Sequence, residues 1–404
     1  MPSSTLGTAN NRPHFLYKNN MTYLEKISDA NSLFDAFRMA KKGSDWKTSV
    51  QRFEANLLRN IYALRKSLRD GTYRQKPFYE FIICERGKIR PIRSQPIEDR
   101  VIQRSLCDNA LLPVLRPYFI YDNGASLQGK GITFSRNRIK VHLEKFIRRY
   151  GDGYILLIDF SKFFDNIPHE KLLNSIMEKF GDDKSLYGLI AHVLETFRPD
   201  VSYMTDDEYS NANTIPFNSM VHRKRTSEYT GKKGLRFLNK SMAIGSQISQ
   251  VAGVFFPTAI DNYFKNVCGF KYYGRYMDDV YIIHQDKQIL VDALNKFMRQ
   301  AENLDMFVNT KKTQIIKLSH GFTYLQTRYK VTDGRIKYAG SNKTFVRERR
   351  RLKKFRVLLD NGRLTRKMIR DMYLSWRGNV LRNANRAQNL RYTDALYIKL
   401  FLYG

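Results

Sequence analysis

Cysteine is scarce in this chain: Cys84, Cys107 and Cys268 are the only three, far apart and with no CxxC pair. That spacing is poor material for a disulfide framework or a zinc site, so a reducing, cytoplasmic setting is expected. Long apolar runs are missing as well. No stretch approaches the roughly 20 residues of a membrane span, and the first thirty residues lack the basic start and apolar core of a signal peptide, so no membrane partner is expected. The histidines, His14, His142, His169, His192, His222, His284 and His320, show no HxxxH or other paired ligand spacing and read as structural or surface groups. Acidic residues are few beside basic ones, 38 against 70, which leaves a formal charge of +32.

What is present bounds the answer from the other side. With 404 residues, 42% hydrophobic and 13% aromatic, the chain can bury a substantial core in two or three subdomains. The basic residues are spread along most of its length. Charge alone gives a partner class, a polyanion, and not a function. A protein that tracks a nucleic-acid duplex needs many phosphate contacts of this kind, and its binding weakens steeply with salt.

Residues 1–20 are polar and read as a flexible lead. From 21 to 69 the pattern is helical, with Phe53, Leu57, Leu58, Ile61, Leu64 and Leu68 on one stripe, and Asp70-Gly71 ends it. Phe81-Ile82-Ile83-Cys84 and Ile89-Arg90-Pro91-Ile92 flank Glu85-Arg86-Gly87, which predicts a hairpin. A helix follows over 98–112, a strand over 154–159 and a helix over 169–180. The polar stretch 199–233 has no clear period and reads as an insertion. Over 242–264 a loop opens into a helix that buries Ile248, Val251, Ala252, Phe255, Ile260 and Phe264. Strands at 272–277 and 280–284 then enclose a turn at Asp278 and Asp279. A helix over 288–303, a short strand pair near 314–338 and three helical stretches from about 344 complete the chain, with no internal repeat.

Two segments carry chemistry. Tyr154-Ile-Leu-Leu-Ile-Asp159 is an apolar strand that delivers a carboxylate at its end, followed by Phe163-Phe164-Asp165. Tyr276-Met277-Asp278-Asp279 sets adjacent carboxylates in a tight turn between hydrophobic strands. Carboxylates of this kind suit two Mg²⁺ ions that clamp an attacking hydroxyl and a leaving pyrophosphate. Asp159 and Asp278 would supply the bridging oxygens; Asp279, pointing to the other face of a strand, would reach one metal or support the others. A lone Asp-Asp turn is most often a solvated hairpin. The specific signal is the order: the aspartate-ended strand with Phe-Phe-Asp, a Gly-Ser loop opening a helix, then YMDD.

In that order the chain resembles the reverse transcriptase family from about residue 53 to 325, in particular bacterial enzymes related to group II introns, retrons and diversity-generating elements. The resemblance implies an α+β right-hand polymerase with fingers, a palm built on an antiparallel sheet with helices, and a helical thumb. Its boundaries would be 21–150 for the N-terminal helical region and fingers, 151–340 for the palm and 341–404 for the thumb. The insertion at about 199–233 and the Gly-Ser loop at about 242–264 fall within the palm range. The implied cofactor is Mg²⁺, two per active site, with Mn²⁺ as an alternative. The implied partners are an RNA template, dNTPs and the DNA product, with room for an oligomer or accessory protein.

Residue by residue, the resemblance makes Asp159, Asp278 and Asp279 the catalytic metal ligands. Phe164 takes the steric-gate position against a ribose 2′-hydroxyl, and Phe163 is assigned to the core. Lys88 and Arg90, with Arg93 nearby, would hold the incoming triphosphate; the alternative is an exposed hairpin charge. Ile244-Gly245 would approach the nucleotide, with Ser249 and Gln250 near template and primer. Relatives of the group II and retron kinds usually carry Gln-Gly and Ser-Pro there, whereas Ile244-Gly245 and Ser249-Gln250 resemble diversity-generating and stand-alone defence-associated groups. Lys312 would protonate the leaving pyrophosphate, or simply screen phosphate from the surface. Phe322 and Leu325 lie in a primer-grip-like turn, for which palm core is the alternative. Arg350, Arg351 and Lys354 belong to a basic thumb helix suited to an A-form hybrid, unless they form only a solvated face. Lys130-Gly131 resembles a family segment near the template and is no Walker loop.

The expected function is therefore RNA-directed DNA synthesis on a dedicated structured RNA, in antiphage defence. A diversity-generating retroelement enzyme and a retron enzyme are the nearest alternatives. No added endonuclease or zinc domain is expected after the thumb. From another class comes a non-catalytic RNA-binding or splicing factor that keeps the fold.

Overall fold

The structure, a computed structural model, describes residues 21–85, 88–340, 342–383 and 387–402. The polar lead at 1–20 and the Arg86-Gly87 turn lie outside the described residues, as does the side chain of Lys88. The chain divides into two compact units. One comprises the residues up to Arg116 with Ile176–Thr196 and Ala243–Ile248; the other comprises Pro117–Ser175, Phe197–Met242 and Ser249 onward.

The first unit is mainly helical. A capping box between Thr22 and Glu25 starts the helix Tyr23–Ser28. The Asp29 carboxylate caps the next, Ala30–Ala40, which buries Leu33, Ala36, Phe37 and Ala40 on one face. The expected continuous helix across 53–69 is broken at Asn56 (φ −119°), which separates Thr48–Ala55 from Leu57–Arg69. That break resets the register. Phe53, Ile61 and Leu68 are buried, but Leu58 is 76% exposed, because positions 57, 61, 64 and 68 form the stripe of the second helix and 58 falls beside it. Strands β1 (Tyr79–Glu85) and β2 (Lys88–Ser94) pair antiparallel from Tyr79↔Ser94 to Glu85↔Lys88.

The second unit is built on a four-stranded antiparallel sheet of order β4-β5-β3-β6, where β3 is Tyr154–Asp159, β4 Tyr273–Tyr276, β5 Asp279–His284 and β6 Gln314–Lys317. Alternation along β3 explains its unbroken apolar run, since both faces are covered. Ile155 and Leu157 join a core made by Leu143 and Phe146 of the helix Ile132–Tyr150 with Tyr281, Tyr324 and Tyr329. Leu156 and Ile158 are buried as well, and the helix Lys287–Asn303 packs on the sheet. Each such side chain contributes about 1.5–3 kcal/mol on leaving water. A three-stranded sheet, β7 (Phe322–Tyr324), β8 (Thr327–Thr332) and β9 (Arg335–Gly340), follows. The last three helices are Asn342–Asp360, Arg366–Asn383 and Ala387–Phe401, with Leu352, Ile369, Tyr373 and Phe401 buried among them.

The stretch read as an unpatterned insertion is ordered around a small core of its own. Two short helices, Asp206–Asn211 and Ser219–Glu228, accompany buried Val201, Met204, Ala212, Phe217 and Leu238. Those apolar residues come from loops and helix ends, at spacings that match neither period. Among the described residues no helix is long and apolar enough to cross a membrane.

Candidate active site

Antiparallel pairing of β3 with β5 ends on the couple Asp159↔Asp279. Residues directly opposite each other across a ladder project from the same face, so these two carboxylates are neighbours. The sequence reading had favoured Asp278 as the partner of Asp159. In the structure Tyr276 pairs with Asp279, and the hairpin closes on Met277 and Asp278, with Met277 at φ 53°. The turn is thus centred one residue earlier than expected, and Asp279 becomes the first residue of β5.

Lys312 arrives at the same place through the backbone. The Asn309 N–H donates to the Asp159 carbonyl at 2.7 Å, and a turn in which Lys312 N–H bonds the Asn309 carbonyl follows. It carries the Lys312 ammonium to 2.7 Å from Asp159 Oδ2. The Lys312 side chain is 60% exposed while that of Asp159 is 17% exposed, so the pair sits at the mouth of a recess. A cavity of about 490 Å³ is lined there by Asp159, Asp279, Lys311, Lys312, Tyr324 and Arg328, among others. Burial first, and then the charges of Asp279 and Asp278, pushes the Tyr276 hydroxyl above its usual pKa.

Phe163 and Phe164 separate as their sequence positions imply. Phe163 is 4% exposed and packs on Phe160. Phe164 is half-buried beside Tyr276 and Met277. Gly253 backs the ring: a Cβ there would stand 3.0 Å from Phe164 Cε1, so any side chain would have to displace it.

The cavity's far wall is the turn between β7 and β8. Leu325 and Gln326 both lie in the left-handed region, at φ 43° and 68°, where a two-residue hairpin prefers Asn-Gly. Arg136 holds this turn, its Nε–H donating to the Leu325 carbonyl at 2.9 Å. Replacing Leu325→Asn together with Gln326→Gly is expected to raise stability by about 1–2 kcal/mol, the usual cost of such backbone strain. A urea melt at 25 °C checks this; an unchanged midpoint would show the turn to be unstrained. Phe322, singled out with Leu325, is 2% exposed and stacks on Tyr329, which makes it palm core as well as cavity lining.

The remaining sequence candidates fall in both units. Within the first, Arg90 is exposed on β2, while Arg93 is held by Glu80 and the ring of Phe78. Also there, Arg93 N–H donates to the Ile244 carbonyl at 3.4 Å, Gly245 has φ 113°, and Ser246 Oγ–H donates to buried Gln103. Within the second unit Ser249 is fully buried, and Gln250 accepts a bond from Ser126 at 2.7 Å. Arg350 and Lys354 are exposed one helical turn apart, whereas Arg351, its side chain 40% exposed, pairs with buried Glu348 at 2.7 Å. Lys130 lies against the rings of Tyr121 and Phe134 and caps the Tyr121 and Asn123 carbonyls.

One constellation was not anticipated. Arg275 and Asp261 form an ion pair with neither side chain exposed. The Arg275 guanidinium donates to both Asp261 oxygens and to the carbonyls of Gly253, Val254 and Met277. Its five N–H groups are all used. The available signal was a charged residue inside an otherwise buried strand immediately before YMDD.

Among the described residues no group of three or more His, Cys, Asp and Glu stands close enough together to hold a metal. The cavity nonetheless fits a hard divalent cation. Its acidic donors are carboxylate oxygens, with no His or Cys in the lining, and the Lys312 ammonium already supplies counter-charge to Asp159. Mg²⁺ is commonly held by one or two carboxylates, with substrate phosphates and water completing its shell.

The chain is similar to several known proteins. A Saccharomyces cerevisiae protein named for intron 2 of COX1/OXI3 is 24% identical over 350 residues, which is 78% of this chain. The chain spans only 39% of that relative's length. Protein YkfC of Escherichia coli is 22% identical over 301 residues, 70% of this chain and 73% of its own. A solved structure of telomerase from Candida albicans with a TWJ fragment of telomeric RNA shares 14% identity, over 81% of this chain and 59% of that one, at a TM-score of 0.42. The profile of the family described as reverse transcriptase (RNA-dependent DNA polymerase) matches residues 75–329, well over half of the chain. Since that span takes in both the strand ending at Asp159 and the Asp278-Asp279 hairpin, the chain belongs to the reverse transcriptase family, and its α+β fold is the right-hand polymerase fold.

Proposed function

We propose that this protein is an RNA-directed DNA polymerase that extends a primer with dNTPs on an RNA template, using divalent cations, Mg²⁺ first among them. The observation that carries the reading is the opposition of Asp159 and Asp279 over one cavity, in a chain of this family. Asp159 and Asp279, the carboxylates of the cavity lining, would hold the cations, with Asp278 in the adjoining turn as a further donor. When bound, the cations supply positive charge to the attacking 3′-oxygen and to the departing pyrophosphate.

The chain's own groups do the rest. The Lys312 ammonium, exposed at the cavity mouth, can deliver a proton to the leaving group once it releases Asp159. Arg328 and Lys311, in the same lining, draw a polyanionic primer end toward the carboxylates. The turn at Leu325 seats that primer end, and the exposed Arg350 and Lys354 track the phosphates of the duplex. Arg90 on the exposed hairpin takes the triphosphate.

Phe164 excludes ribonucleotides. Phe164→Ala is expected to lower the dNTP/rNTP ratio of kcat/KM by on the order of a hundredfold, measured by single-nucleotide incorporation. An unchanged ratio sinks the gate assignment. The polymerase reading itself is tested by primer extension on an RNA template with dNTPs and Mg²⁺; extension that survives in the Asp159→Asn, Asp279→Asn double variant would remove it.

For the biological setting we propose an enzyme that copies a dedicated structured RNA in antiphage defence. The Ile244-to-Gln250 variant of the loop sets the chain apart from group II intron and retron enzymes, and is shared with diversity-generating ones. Sequencing of nucleic acid that copurifies with the protein tests it: one abundant structured RNA is the expected result, and a random RNA population would overturn it.

A further inference from the structure

The short turn that carries Phe164 is tied, residue after residue, to residues 217–242, a segment that begins inside the polar stretch 199–233 and runs past its end. The Phe164 carbonyl accepts from the Met242 N–H at 2.7 Å. Both oxygens of the Asp165 carboxylate accept from Ser219, through its N–H and its hydroxyl, at 3.0 Å. Asn166 closes a two-way contact with Phe217, accepting from its N–H at 2.8 Å and donating to its carbonyl at 3.0 Å. Downstream, the Ile167 carbonyl accepts from Ser241 N–H, and His169 N–H donates to the Asn239 carbonyl. Buried Lys240 in turn spans back into the insertion, donating to the carbonyls of Ala212 and Ile215.

These contacts are costly enough to demand a reason. Asp165 is half-buried, and burial pushes its carboxyl above the usual range even though the Ser219 bonds favour the charged form. An exposed polar turn of four residues would need none of this. On the opposite side the Phe164 ring lies against Gly253 and in one apolar cluster with Tyr276 and Met277, so the ring is bounded by the catalytic hairpin while its backbone is held by Met242.

We propose that residues 217–242 are the positioning frame of the Phe164 gate: through the Ser219–Asp165 and Phe217–Asn166 contacts this segment fixes where the ring stands, and so sets how strictly the enzyme excludes ribonucleotides. The proposal rests on the gate reading given above. It gives Ser219, Asp165 and Asn166 positioning roles, since each acts through the turn that carries Phe164. Residues in one hydrogen-bond network show coupling of 0.5–3 kcal/mol, or roughly 2- to 150-fold in a rate ratio.

The test is a double-mutant cycle read as the dNTP/rNTP ratio of kcat/KM. Ser219→Ala keeps the amide bond to Asp165 and removes only the hydroxyl, so the fold is retained, as a parallel urea melt would show. It is expected to lower the ratio roughly tenfold, chiefly by admitting rNTPs, with dNTP kcat within about twofold of the parent. Ser219→Thr, which restores the hydroxyl, should recover most of the ratio. In the Phe164→Ala background, Ser219→Ala should add nothing, because there is no ring left to position. Equal losses on dNTP and rNTP, or a full additional effect on top of Phe164→Ala, overturn the proposal and leave a general structural role. If Phe164→Ala alone leaves discrimination intact, the gate reading fails, and that result is distinct from a normal gate unaffected by Ser219.

Discussion

Asp159→Asn and Asp279→Asn are each expected to lower RNA-templated dNTP incorporation by roughly a thousandfold or more, the several kcal/mol that a bound cation contributes to a transition state. Stability should move little and in opposite directions. Asp279 faces another carboxylate across the ladder, so its neutralisation relieves like-charge repulsion. Asp159 loses its ion pair with Lys312, but that side chain is 60% exposed and such pairs contribute about 0–1 kcal/mol. The two substitutions therefore separate chemistry from folding. Primer extension on an RNA template, run beside a thermal melt of each variant, is the measurement. Incorporation within tenfold of the parent by either variant would mean that the opposed carboxylates do not hold the reactive cations.

The elements at the centre of the site were legible because their patterns are local. An apolar run ending in Asp159, too short for a buried helix, fits a strand covered on both faces, and the burial of Leu156 and Ile158 on one face and Ile155 on the other agrees. The register of Asp159 was not legible. It depends on whether the hairpin turns on Met277-Asp278 or on Asp278-Asp279, and the difference is a left-handed φ at Met277, a residue whose type gives no hint of it. Leu58 was misplaced for a similar reason, since a break at Asn56 without Pro or Gly leaves no mark in composition. The insertion escaped because its small core is assembled from non-periodic positions. Arg351 looked like one more phosphate contact in a basic run; its pairing with Glu348 three residues earlier is visible only once the helix face is known.

Arg275→Met is expected to destabilise the protein by about 3–5 kcal/mol, the usual consequence of leaving one member of a buried ion pair alone. Here the stranded group is the Asp261 carboxylate, fully buried and left with the Tyr273 hydroxyl at 2.7 Å. The catalytic consequence comes from a different bond. The guanidinium donates to the Met277 carbonyl and to those of Gly253 and Val254, and so ties the turn before Asp279 to the helix Gln247–Phe255 that backs Phe164. Without that tie the hairpin can shift by a fraction of an ångström to an ångström, and misplacement on this scale costs on the order of a hundredfold in kcat. Asp261→Asn separates the two effects. It removes the charge but leaves Arg275 its three carbonyl acceptors, so it should lose stability comparably while keeping most of kcat. The measurement is a urea melt paired with kcat and KM for dNTP at saturating primer and template. Equal kcat losses in the two variants would show that Arg275 acts through the stability of the palm as a whole and not through the position of the Met277 carbonyl.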